Sequence, residues 1–159
     1  MQDNRILIHK LKNFENINSN FLIITLMLFG SILLAISAKV QVPFWPVPMT
    51  MQTFVIFLIG MTYSIRLSFA TVAFYLFQGA IGLPVFAAGG GIAYLVGPTA
   101  GYLYGMLFAS IVISYLANLG FSKTYFKATL SLLIGSVVIF SFGIMSVSYT
   151  HLRAHETSV

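Results

Sequence analysis

FLIITLMLFGSILLAISA, Phe21 to Ala38, carries no charge from end to end. A helix needs about 18 or more such residues to cross the hydrocarbon core of a bilayer. This run meets that length, and it sets the frame for the rest of the chain. Before it stands MQDNRILIHKLKNFENINSN, with the cations Arg5, Lys10 and Lys12. That segment is too long and polar for a signal peptide, and no small-residue cleavage site follows the apolar run. Residues 1–20 are therefore expected as a cytoplasmic N-terminal segment.

The composition agrees. Of 159 residues, 58% are hydrophobic and 7% charged, against about 25% charged in soluble domains. The chain reads as one all-α integral membrane domain over residues 21–147. Four more spans are expected, at about 49–63, 67–83, 98–119 and 127–147, making five predicted transmembrane helices. Pro48 suits the first turn of the second span. The break between the second and third rests on Arg66 and its polar neighbours.

Lys and Arg accumulate in cytoplasmic loops. With the N-terminus inside, of the cations before the tail Arg5, Lys10, Lys12, Arg66, Lys123 and Lys127 all fall inside and only Lys39 outside. The loops 40–49 and 84–97 then share the outer face. They are the stretches richest in Gly, Pro and aromatic residues. Irregular backbone at a membrane is tolerated where protein buries it or water reaches it, so the two loops together suggest an outward-facing pocket.

Several functions are excluded or disfavoured. The net charge is +5, but the cations form no stripe for phosphates, so no nucleic-acid partner is expected. No Asp or Glu lies between Asn16 and Leu152, and there is no cysteine. That removes acidic general acids and bases, carboxylate metal ligands and thiolate chemistry. It also argues against a proton-coupled carrier, which would use an ionisable residue inside the membrane. The chain is read as a non-enzyme with no cofactor and no metal. Gly89-Gly90-Gly91 lacks the Gly-Lys-Ser/Thr that would make a phosphate loop, and reads as a tight re-entrant turn.

The polar residues leave alternatives open. Gln52 and Gln78 are placed near the outer side, with Thr50, Thr53, Tyr75, Tyr102 and Tyr104 at similar depth. They either face a ligand with amide-like or urea-like edges, or bond helix to helix. Trp45, flanked by Pro43, Pro46 and Pro48, is either an interfacial anchor or a lid over an apolar ligand. Ser31, Ala35 and Ala38 form a face of small residues that either packs internally or docks a partner.

Three runs carry a family likeness: VPFWPVPMTMQTFVIFLIG (Val42–Gly60), YLFQGAIGLPVFAAGGG (Tyr75–Gly91) and GPTAGYLYG (Gly97–Gly105). In order and spacing they resemble BioY, the biotin-binding S components of energy-coupling-factor (ECF) transporters. The resemblance covers roughly residues 20–145. It implies a six-helix S-component fold with an outward-facing biotin pocket in a multi-pass protein of the cell membrane. It also implies partners: a transmembrane T component and two ATP-binding-cassette subunits, which would hydrolyse the ATP. By position it assigns Trp45, Thr50, Gln52, Gln78, Gly79, Phe86 and Tyr102 to the pocket lining, with Lys39 available to a ligand carboxylate. It assigns Ser31, Ala35 and Ala38 to T-component docking. An S component for another vitamin, and a structural membrane subunit without ligand, stay open as alternatives.

The C-terminal end departs from that pattern. SVSYTHLRAHETSV, Ser146–Val159, is too polar to cross a bilayer and stands where the family has a sixth span. SYTHLRAHET resembles translated adapter read-through, so residues 148–159 are expected as a non-native or disordered tail. His151 and His155 sit at i and i+4, a metal-site spacing on a helix, and the read-through reading is preferred to it.

Overall fold

The computed structural model describes residues 19–43 and 49–157, and within that range the side chains of 19, 151 and 154–157 are left aside. Six α-helices and one small β-ladder follow in order. Helix α1 runs Ser19–Lys39. Strand β1, Gln41–Val42, pairs antiparallel with β2, Met49–Thr50, with Gln41 opposite Thr50. Then come α2, Gln52–Thr62, α3, Ile65–Ala80, and the short α4, Ile92–Val96. Helix α5 is Ala100–Asn118. After one 3-10 turn, Phe121–Lys123, α6 runs Tyr125–Thr157.

Helices α1, α2, α3, α5 and α6 overlap the five expected segments, with three differences. Three of them, Asn20–Lys39, Ala100–Asn118 and Tyr125–Thr150, are long and apolar enough to cross a membrane. Helix α2 has 11 residues, about 16 Å at 1.5 Å per residue, or half of a ~30 Å core. It opens at Gln52 and not at about Met49, because Met49–Thr50 is taken by the ladder and the Met51 amide donates to the Val40 carbonyl at 3.0 Å. Pairing in a ladder satisfies backbone that a helix would otherwise satisfy. The second break falls at Tyr63–Ser64, before Arg66, which lies in the first turn of α3. The third difference is at the C-terminal end. No Gly or Pro interrupts the chain after Gly143, and α6 continues past Val147 to Thr157, through residues expected as a non-native or disordered tail.

The interior is built from close approaches. On α5, Gly101 and Gly105 face the backbone of α6. A Cβ on Gly101 would sit 2.2 Å from the Phe142 carbonyl oxygen, and one on Gly105 2.9 Å from that of Ile139. G-x-x-x-G spacing lets two helix backbones touch in this way. Ile113, fully buried, fills the space left by Gly60 on α2 and Gly135 on α6. Buried serines join the helices: Ser114 donates to the Gly60 carbonyl at 3.0 Å and Ser68 to that of Ser110 at 3.3 Å. The Tyr63 hydroxyl donates to the Leu26 carbonyl at 3.0 Å, tying the α2–α3 turn to α1.

The outside is apolar as well. Phe21, Ile24, Phe29, Ile32 and Ile36 on α1 are exposed, as are Phe126, Leu133, Val137 and Ile144 on α6. A helix hydrophobic all round is buried in protein or in lipid, and these faces have no protein against them among the described residues.

Candidate functional site

The C-terminal end of α1, the β-ladder, the start of α2, the end of α3 and the start of α5 meet at one end of the bundle. A cavity of about 470 Å³ opens there. Its walls include Thr50, Gln52, Phe86, Tyr94, Tyr102 and Met106, closed on the far side by Ile139 and Phe140 of α6.

The polar wall is a short relay. Gln52 opens α2 and is only 3% exposed. The Thr50 hydroxyl donates to Gln52 Oε1 at 3.0 Å, Gln52 Nε2 donates to the Tyr75 hydroxyl at 2.6 Å, and that hydroxyl donates to the Val85 carbonyl at 3.0 Å. The relay therefore links the ladder, α2, α3 and the loop that follows α3. A buried amide whose ends are both engaged keeps one orientation.

The apolar wall is centred on Phe86, which is fully buried. Its ring meets Tyr75 edge-on at 5.5 Å and stacks on Tyr94 at 5.1 Å. Both geometries are favoured by the ring quadrupoles. The ring rests on Gly79: a Cβ there would fall 2.0 Å from Phe86 Cζ. The loop is closed on itself by one pair of hydrogen bonds and tied to α3 by another bond. Phe86 and Gly89 exchange backbone hydrogen bonds, and the Gly91 amide donates to the Gly79 carbonyl at 2.7 Å. Gly91 has φ of +111° and Gly89 of +142°, so the glycine triplet is the tight turn its composition suggested. Lys39, at the C-terminal end of α1, donates from Nζ to the Phe86 carbonyl at 2.8 Å and fastens the loop to α1.

A model described as the BioY family matches residues 10–158. The chain belongs to the BioY family. Among relatives, it is 32% identical over 139 residues to a probable biotin transporter BioY of Rickettsia prowazekii, covering 87% of this chain and 71% of that one. It is 36% identical over 118 residues to the biotin transporter BioY of Thermotoga maritima, covering 74% of this chain and 69% of that one. Among solved structures, it resembles the S-component for biotin from an ECF-type ABC transporter, with a TM-score of 0.74 and 25% identity over 84% of this chain and 75% of that one. The all-α S-component fold implied by the sequence motifs is thus the fold of the chain.

Against this BioY frame, Thr50, Gln52, Phe86 and Tyr102 come together on the cavity wall. Gly79 and Lys39 stand one layer behind, as the seat of the Phe86 ring and the tether of its carbonyl. Gln78 lies elsewhere: its Oε1 accepts a hydrogen bond from the Ser31 hydroxyl. That pair joins α3 to α1. Ser31 is 1% exposed and Ala38 is 0% exposed, so these members of the small face pack internally; Ala35 is half-buried. Trp45 lies outside the described residues. Sequence reasoning missed Tyr94, Met106, Ile139 and Phe140. Tyr94 stands three residues after the glycine triplet, and an aromatic side chain so near the tight turn was a usable signal; the three apolar residues carried none.

Proposed function

We propose that the chain is the biotin-binding S component of an ECF-type transporter. The observation that carries this is the cavity itself: one wall is aromatic and apolar, and the other is the Thr50–Gln52 amide and hydroxyl pair. Its volume lies within the ~300–1,000 Å³ of small-molecule sites, which are apolar with a few placed polar groups. Biotin has the matching halves, an apolar bicycle and a ureido edge that both donates and accepts. The names of the Rickettsia and Thermotoga relatives and of the solved S-component support the same ligand.

The chain does no covalent chemistry in this reading. Biotin enters from outside and fills the space against Phe86 and Tyr102, with Gln52 and Thr50 on its ureido ring. Lys39, beside the cavity, uses one of its three donors on Phe86 and keeps two for the ligand carboxylate. A transmembrane T component and two ATP-binding-cassette subunits supply the energy for release inside. The protein sits in the cell membrane with its N-terminus cytoplasmic, which puts Arg66, Lys123 and Lys127 inside and Lys39 outside.

The test is uptake of labelled biotin into proteoliposomes holding this chain with a T component and the two ATPases. ATP-dependent uptake that vanishes with Gln52→Leu, and that other vitamins do not compete away, is expected. Uptake of another vitamin in place of biotin would overturn the substrate, and biotin uptake indifferent to ATP would overturn the partners.

A further inference from the structure

Tyr75 does not line the cavity and is 1% exposed, yet it touches both of its walls. Its ring edge supports Phe86 and its hydroxyl holds Gln52. A phenol has a single proton. Here that proton is given to the Val85 carbonyl at 3.0 Å, so toward Gln52 the oxygen can only accept. Gln52 must therefore present an N–H to Tyr75, at 2.6 Å. The opposite amide orientation would either set Oε1 against a phenol oxygen with no proton left, or draw that proton to Oε1 and take from the Val85 carbonyl the donor it has here. Thr50 cannot make this choice. Its hydroxyl donates to Oε1 as observed, and it could equally accept from Nε2 if the amide were turned.

We propose that Tyr75 is a positioning residue that sets ligand specificity: through the Val85 carbonyl it holds Gln52 with Oε1 on the Thr50 side of the cavity wall, so that the site selects a ligand edge that offers an N–H. The inference rests on the biotin reading above, and supplies the reason a ureido ring would be preferred to an isosteric ring with acceptors only. Tyr75 acts here through Gln52 and makes no contact with the ligand.

The experiment compares equilibrium binding of biotin with that of its two cyclic-carbamate analogues, in each of which one ureido N–H is replaced by a ring oxygen. The unmodified chain is expected to bind biotin about a hundredfold more tightly than the weaker carbamate, the upper scale of leaving one buried acceptor without its donor. Tyr75→Phe frees the amide to turn. It is expected to weaken biotin by about tenfold, the scale of a lost buried hydrogen bond, and to shrink the ratio between the two ligands to below about tenfold. A tyrosine that only supports the fold would lower both affinities together and leave the ratio unchanged, which would overturn the inference. Tyr75→p-aminophenylalanine covers the case in which the phenylalanine variant does not fold. Its amine can donate to Val85 and to Gln52 at once, keeping the buried bonds but turning the amide. It should move the preference toward the carbamate, and an unchanged preference would again overturn the inference. Absence of biotin binding by the unmodified chain would overturn the ligand reading and this inference with it, whereas biotin binding with a Tyr75-independent ratio would overturn this inference alone.

Discussion

Replacing Gly79 by alanine adds one methyl group to α3 beneath the cavity. The new Cβ would lie 2.0, 2.3 and 2.6 Å from three atoms of the Phe86 ring. The ring cannot simply withdraw, since Tyr75 meets it edge-on, Tyr94 stacks on it, and its carbonyl is tethered to Lys39. Overpacking of this kind costs about 1–3 kcal/mol. At roughly 2–4 °C per kcal/mol for a chain of this size, Gly79→Ala should lower the melting temperature in detergent by about 3–10 °C. The displaced ring also has the cavity as its nearest free space, so biotin affinity should fall with stability. Phe86→Leu shortens the group that clashes. On its own it should destabilise through lost packing, but combined with Gly79→Ala it should cost less than the sum of the two by about 1–2 kcal/mol, because neighbours that share a clash are not additive. The assay is a thermal melt of the four proteins with and without biotin. Strict additivity, or a Gly79→Ala protein as stable as the parent, would refute the claim that Gly79 is the seat of the ring.

Ser31→Ala should cost about 1 kcal/mol or less, the scale of an interhelical hydrogen bond in a membrane, and leave biotin affinity unchanged in a binding titration; a loss of affinity would return Gln78 to the site. Lys39→Met removes the tether to the Phe86 carbonyl, so the Gly89 and Gly91 amides should exchange hydrogen several-fold faster while the melt falls by only about 2–4 °C, as expected for an exposed charged donor worth roughly 1 kcal/mol. If Lys39 also meets the ligand carboxylate, the same substitution lowers affinity for biotin more than for the uncharged biotin amide. Equal losses for the two ligands would confine Lys39 to the loop.

How far the sequence could be read follows from which constraints are local. A ~30 Å hydrocarbon core demands long uncharged runs, and α1, α5 and α6 declare themselves by that alone. The start of α2 did not, because its first expected turn is spent in a ladder of two residues per strand, too short to leave an alternating pattern. The segment after Val147 looked like a tail by its polarity, but polarity does not stop a helix that meets no Gly or Pro. The site divides in the same way. Thr50, Gln52, Phe86 and Tyr102 lay in recognisable motifs beside the outer loops. Gln78 shared their depth but not their direction. Tyr75 and Gly79 are four residues apart and fall on one face of α3, while Gln78 is turned about 100° from Gly79, toward Ser31 on α1. Depth is legible from the position of a span, whereas facing needs to know which neighbour lies on each side.

The most direct test of the account is the melting temperature of the purified chain in detergent with and without biotin. A ligand that binds only the folded state stabilises it by about 2.7 kcal/mol at a hundred times its dissociation constant, which for this size is a rise of roughly 5–10 °C. The account predicts that rise with biotin, its abolition by Gln52→Leu, and none with other vitamins. A melt indifferent to biotin at saturating concentration would contradict it.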